Sequence, residues 1–368
     1  MSRLSVDIYE LTDAALAADY TRVRRVANRL AQFLMSDDED GAKKIRSLLR
    51  RKGVPLRASG YAETLPVDTK SRAPLVEEQD WPTTPLFLNG DAAATFSSFI
   101  DDVQNSELLS KMGLTNRQSL LLSGPPGTGK SLIAGHIASQ IGRPLYVVRL
   151  DAVISSLLGD TAKNIRNVFD YVPGRDGVLF LDEMDAVAKM RDDKHELGEL
   201  KRVVNTVIQG LDSLDDRAVV IGATNHAQLL DPAIFRRFPY RIEVGLPDEE
   251  VRSSLWRHFL LNDADLDKVH LTLGKISDGL TGADIQNIAW AVRRNAVLDS
   301  NDLDIAAVAY SVIQRRRSGV GLPSRGLISS EAKREAANIL VGELKLSGAE
   351  AARLLGVSRQ AVAAYLKD

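Results

Sequence analysis

The chain has 368 residues, with 47 Lys and Arg against 49 Asp and Glu, a net charge of −2 and no cysteine. That length exceeds what one hydrophobic core usually serves, so several compact units are expected, and the balanced charge argues neither for nor against a nucleic-acid partner. The lack of thiols excludes disulfides, thiolate nucleophiles and cysteine metal sites; with Asp7, Glu10, Asp13 and Asp19 where a signal peptide needs an apolar core, and no apolar run long enough to span a bilayer, a cytoplasmic protein without a membrane partner is expected.

Residues 1–52 carry Leu16, Tyr20, Val23, Val26, Leu30 and Leu34 at three- or four-residue steps, then an acidic break over 37–40 and a basic amphipathic stretch over 43–52. This pattern predicts a small helical module. From 53 to 85, five prolines (Pro55, Pro66, Pro74, Pro82 and Pro85) interrupt a stretch of little periodicity, which reads as a linker. Its role is a tether or a substrate-binding arm. Strands over 119–123, 145–150, 178–182 and 218–223 alternate with helical stretches, the pattern of a parallel sheet covered on both faces. The span 86–246 is therefore expected to be a large α/β subdomain. Residues 247–317 turn wholly helical, and a Gly/Pro-rich break over 318–326 sets off a C-terminal unit, 318–368.

Within the α/β span, the apolar run 120–122 leads into Gly124, Pro125, Pro126, Gly127, Thr128, Gly129, Lys130 and Ser131, and a helical stretch follows. The glycines let the backbone curl so that successive N–H groups point at phosphate oxygens, and the helix adds the positive end of its dipole. Lys130 then reaches the β- and γ-phosphates of a nucleotide such as ATP, and Ser131 holds Mg²⁺. The next buried run, 178–181, ends in Asp182 and Glu183. Two carboxylates at the carboxyl end of such a strand suit two roles: Asp182 as a Mg²⁺ ligand, direct or through water, and Glu183 as the base that takes a proton from the attacking water.

The tail carries a small Ala352, a turn glycine at Gly356 and an apolar Val362 at helix-turn-helix spacing. Ala352 lets two helices approach, Gly356 turns the chain, Ser358 caps the second helix and Val362 packs back. Ser358, Arg359 and Gln360 would lie on the presented face, and Arg and Gln side chains can read base edges. The partner of this module is DNA or a docking protein. Its acids and bases nearly balance, so geometry speaks more strongly here than charge.

In order, the phosphate loop, the Asp-Glu strand, the run 223–225, the stretch 230–238 and the stretch 279–285 resemble the AAA+ ATPases, and within them the AAA clade proper, over roughly residues 86–317. The resemblance implies a P-loop ATPase domain with an α-helical lid, working as a homo-oligomeric ring of six. Asn225 then holds the attacking water as the first sensor. Arg236 and Arg237 become arginine fingers that reach the nucleotide of the neighbouring subunit. His258 lies beside the sugar or base, and the backbone at Gly282 and Ala283 senses nucleotide where many relatives use an arginine. Leu157 and Leu158 match the pore loop that grips polypeptide, though without its aromatic, and residues 190–199 match a second pore loop. A protein substrate, remodelled or threaded, is the favoured expectation; a DNA-bound ATPase anchored by its tail and a nucleotide-dependent assembly switch are the alternatives.

Overall fold

The computed structural model describes residues 3–16, 20–35, 38–50, 66–68, 74–114, 116–155, 161–171, 176–189, 197–215, 217–262, 268–319, 321, 323, 326 and 328–367. The chain divides into two units, one holding residues 1–84, 95–123 and 131–242, the other 85–94, 124–130 and 243–368.

The first unit is built on a six-stranded sheet: β1 (Glu77–Gln79), β2 (Ser119–Ser123), β3 (Leu145–Arg149), β4 (Val178–Asp182), β5 (Val219–Thr224) and β6 (Tyr240–Glu243), in the order β1-β3-β4-β5-β2-β6. The pairs β3/β4, β4/β5 and β2/β5 are parallel, with Val147 opposite Phe180, Phe180 opposite Ile221 and Leu120 opposite Ile221. Parallel strands need crossovers, supplied by the helices Lys130–Ile141, Thr161–Tyr171 and Leu197–Ser213. With helices on both faces, a central strand has no solvated side. That is why β5 is buried along its whole length, and β2 and β4 at every residue but the last.

The proline-rich stretch is more than a tether. Its described residues 74–85 supply β1, antiparallel to β3, with Leu75 and Val76 buried behind it. Trp81 Nε1 donates to the Arg143 carbonyl at 3.0 Å, and the His136 ring nitrogen Nε2 lies 2.8 Å from the Thr84 carbonyl oxygen. Prolines tolerate only the rim of a sheet, and Pro74 and Pro82 flank the edge strand. The N-terminal helices Arg3–Leu16, Tyr20–Phe33 and Glu39–Arg50 belong to the same unit. Arg29 bridges Asp7 at 2.6 Å and Glu10 at 2.5 Å, while Arg25 pairs with Asp176, which also holds Arg143 at 3.1 Å.

In the second unit the helices Glu249–Leu261, Val269–Ile276, Gly282–Asp299 and Ile305–Ser318 are followed by Ser330–Asn338, a π-helical turn Ile339–Glu343, Gly348–Leu355 and Arg359–Tyr365. The sequence break at 318–326 suggests an independent tail, but one apolar core runs from Leu255 through Val312 and Ile313 to Ala336, Leu340, Leu354 and Val362. Ion pairs join the same pieces: Lys275 with Glu350 at 2.9 Å, and Arg317 with Glu343. Among the described residues no helix is long and apolar enough to cross a membrane.

Candidate active site

The phosphate loop adopts a backbone that only glycine takes without strain. Gly124, Gly127 and Gly129 have φ of 146°, 79° and 96°. A Cβ on Gly124 would lie 2.1 Å from the Val244 carbonyl oxygen, and one on Gly127 3.0 Å from Thr281 Oγ1. The loop is braced from inside: Thr128 Oγ1 donates to the Pro125 carbonyl at 2.9 Å, and Lys130 Nζ donates to the carbonyls of Gly124 at 2.8 Å and Pro125 at 2.9 Å. Lys130 is only 8% exposed. Its ammonium is thus pre-positioned at a curled loop that precedes a helix N-terminus, a donor set that fits a polyphosphate. Ser131, next in the first turn of that helix, is exposed, and its hydroxyl oxygen suits a hard cation.

The start of the lid helix Gly282–Asp299 meets this loop. The Ala283 N–H donates to the Gly127 carbonyl at 3.2 Å. Thr281 and Asp284 form a reciprocal cap: Thr281 Oγ1 accepts from the Asp284 N–H at 3.1 Å, and Asp284 Oδ2 accepts from the Thr281 N–H at 3.1 Å. Arg315, in the last turn of Ile305–Ser318, donates to Asp284 Oδ1 at 2.5 Å. Burial works to raise the Asp284 pKa, but the bonds from Thr281 and the charge of Arg315 outweigh it and hold it below the ordinary carboxylate value. His258 is half-buried beside Phe87, ring centroids 6.0 Å apart. The two rings are inclined at 52° to one another, so either one alone can offer a face to a nucleotide base.

At the end of β4, Asp182 and Glu183 part in role. Glu183 has φ 55°, the left-handed region, and its N–H donates to Asp182 Oδ1 at 2.8 Å. The strand ends there and the Glu183 side chain is exposed, while Asp182 is half-buried. Burial first, then the hydrogen bond and charge of Asp151, then Asp182 and Asp185, raise the Glu183 pKa above its ordinary value. A base of raised pKa accepts protons more readily near neutrality. Asp185 is 1% exposed and accepts from Thr224 Oγ1 at 3.2 Å and the Asn225 N–H at 3.2 Å, which fixes the backbone of Asn225 at the end of β5.

The two arginines differ. Asp231 caps the short helix Pro232–Phe235, accepting from the Ala233 N–H at 2.8 Å, and Arg236 and Arg237 follow it. Arg237 grips Asp212 with two nitrogens, Nη2 at 2.9 Å and Nε at 3.2 Å, and its Nη1 donates to the Ala233 carbonyl at 2.7 Å. Arg117 joins the same carboxylate at 3.0 Å. Arg236 is exposed, and its side chain makes no hydrogen bond or ion pair among the described residues. Leu157 and Leu158, and residues 190–196 of the second pore loop, lie outside the described residues. In the tail, Ser358 Oγ accepts from the Ala361 N–H at 3.1 Å, and Arg359 and Gln360 are exposed.

Four contributors escape the motif reading: Asp151, Asp185, Asp212 and Arg315. Asp185 alone had a local signal, an acid two places past Glu183 on the same strand exit.

Residues 120–246 match the family described as ATPase family associated with various cellular activities (AAA). The chain is 43% identical over 139 residues to an uncharacterized AAA family ATPase, y4kL, of Sinorhizobium fredii, covering 38% of this chain and 42% of that protein. It is 31% identical over 277 residues to an ATP-dependent zinc metalloprotease, FtsH 3, of Sphaerobacter thermophilus (72% and 56%). It is 32% identical over 213 residues to a proteasome-activating nucleotidase of Methanopyrus kandleri (55% and 48%). The chain thus spans about half the length of these curated relatives. A crystal structure of the FIGL-1 AAA domain in complex with ADP superposes with a TM-score of 0.52 at 22% identity, covering 72% of this chain and 92% of that one; this likeness establishes the fold, a mostly parallel sheet with flanking helices. The AAA ATPase domain and its ATPase relatives support ATP hydrolysis.

Proposed function

We propose that the chain is one subunit of a homo-oligomeric ring, a hexamer, that hydrolyses Mg²⁺-ATP to remodel or thread a protein. The observation that carries the hydrolysis is Glu183: an exposed carboxylate, left-handed at a strand end, with its pKa raised by burial and by Asp151. The glycine N–H groups of 124–129 and the Lys130 ammonium bind the β- and γ-phosphates. Oxygens of Ser131 and Asp182 hold Mg²⁺, which supplies charge neutralisation on the phosphates when bound. Glu183 takes the proton of the attacking water, whose position Asn225 fixes. Phe87 and His258 pack the base, and Ala283 links nucleotide to lid through Gly127. Arg236 completes the site of a neighbouring subunit by stabilising the charge that grows on the transferred phosphoryl group.

The protein substrate is supported by the relatives named a proteasome-activating nucleotidase and an ATP-dependent metalloprotease. In this reading Leu157 and Leu158 grip the polypeptide by apolar contact, and the ring is soluble in the cytoplasm. The test is steady-state phosphate release with and without an unfolded protein. Stimulation by the unfolded chain, lost in Leu157→Ala with Leu158→Ala while basal turnover persists, is expected. Basal turnover that survives both Lys130→Ala and Glu183→Gln would overturn the assigned site, and indifference to unfolded protein would overturn the substrate class.

A further inference from the structure

We propose that the outer face of the helix pair Gly348–Leu355 and Arg359–Tyr365 is a docking surface for duplex DNA, with Arg359 and Gln360 meeting base edges and Arg353 and Lys367 the flanking phosphates. This inference stands apart from the hydrolysis reading, because it concerns residues that take no part in nucleotide chemistry.

The fold of the pair is tightly specified. Ser347 caps the first helix in a reciprocal box with Glu350, and Gly356 ends it at φ 63°. Ser358 caps the second helix, which packs through buried Val362 against Ala351, Ala352, Leu354 and Leu355. With that stripe turned inward, Arg359, Gln360, Ala363, Ala364 and Lys367 are exposed, recurring at helical steps. An α-helix is about 10–12 Å across with its side chains, which the roughly 12 Å width of a major groove admits. On the exposed side of the second helix the centre holds only Ala363 and Ala364, so the backbone can come close. Arg and Gln at successive positions of its first turn are the side chains that donate to guanine and pair with adenine.

The near balance of charge in this tail conceals a one-sided distribution. From 348 to 368 the sequence holds two acids, Glu350 and Asp368, against Arg353, Arg359 and Lys367. Glu350 is engaged with Lys275 of the lid at 2.9 Å. The Ser347 backbone first and Lys275 next hold its pKa down at about 2, so the charge is fixed on the lid side. Upstream, Glu343 and Glu335 both lie against Arg317. Glu335, Glu343 and Glu350 thus serve packing onto the lid, while Arg353, Arg359 and Lys367 are exposed. A cationic face carrying base-reading side chains complements a phosphate-lined groove better than it complements an apolar or basic protein.

The test uses the full chain without nucleotide, titrated by anisotropy into a labelled mixed-sequence duplex of about three helical turns at low and at physiological salt, with polyglutamate as the competing polyanion. Binding that falls steeply with salt, and that weakens about tenfold or more in Arg353→Glu with Lys367→Glu, is expected. Selection from a randomised duplex pool should enrich a sequence whose preference is lost in Arg359→Ala with Gln360→Ala. Lys130→Ala should bind duplex as the parent does. Duplex binding unchanged in both double variants, no duplex binding at low salt, or preferential capture of polyglutamate would overturn the proposal, the last by assigning the face to an acidic protein.

Discussion

Glu183 is held at φ 55°, a backbone that costs a residue with a Cβ about 1–2 kcal/mol. Although exposed, its carboxyl is partly desolvated and lies near the charges of Asp151, Asp182 and Asp185, all of which favour the protonated form. A group whose folded pKa is raised withholds stability as pH climbs through that value, since the folded state must then carry a charge it disfavours. Glu183→Gln is therefore expected to melt at a higher temperature than the parent at neutral pH, while turnover falls about 10²–10⁴-fold for loss of a general base. Calorimetry and phosphate release read the two effects separately. The base works only when ionised, so turnover should drop on acidification, with a limb above the ordinary carboxylate range. Asp151→Asn removes the neighbouring acid that raises the Glu183 pKa most and should move that limb to lower pH. An unmoved limb would show that Asp151 does not tune the base.

The lid helix Gly282–Asp299 joins the nucleotide loop to the helix Ile305–Ser318 through its first turn. Asp284 accepts from Thr281 at one oxygen and from Arg315 at the other, and Ala283 donates to Gly127. Asp284→Ala should cost about 1 kcal/mol, as loss of a capping partner does, and should also weaken fluorescent ATP binding by freeing the turn that carries Ala283. Arg315→Ala keeps the cap and should do less of both; equal losses in the two variants would place the coupling elsewhere. Because the Asp284 pKa is lowered, its stabilisation is present above the unfolded carboxylate value and is lost as pH falls through the lowered one. How far such elements are legible in sequence depends on where their partners lie. Strands β2, β4 and β5 announce themselves because burial on both faces demands unbroken apolar runs. The three exposed polar residues of β1 carry no such pattern, and only pairing with β3 makes them a strand. The glycine and proline break at 318–326 looks like a domain edge, yet Ala336 and Leu340 continue the lid core beyond it. Phosphate-loop residues are legible since their chemistry is contiguous; Asp151 and Asp212 act across tertiary contacts that spacing does not encode.

At the scale of the assembly, the adjacent arginines make a sharp test. Arg237 is committed to Asp212, which it shares with Arg117, and that carboxylate is held below its ordinary pKa by the Arg237 bond above all. Arg236 has no such commitment among the described residues and stands exposed. A cation without an internal partner is available to a neighbouring subunit, and the exposed apolar Trp290, Val297 and Leu298 of the lid helix are a second surface that a ring could cover. Arg236→Ala is expected to keep ATP affinity and melting temperature while turnover falls about 10³-fold or more, the loss typical of a missing finger. Arg237→Ala should lower the melting temperature as well, because it leaves Asp212 to Arg117 alone. If the finger acts between subunits, parent turnover per subunit must rise with protein concentration. Subunits carrying Arg236→Ala and subunits carrying Glu183→Gln, each inactive alone, should also recover activity on mixing, since an intact base then meets an intact finger at alternate interfaces. A mixture as inactive as its components would mean that Arg236 serves its own chain and would overturn the finger between subunits.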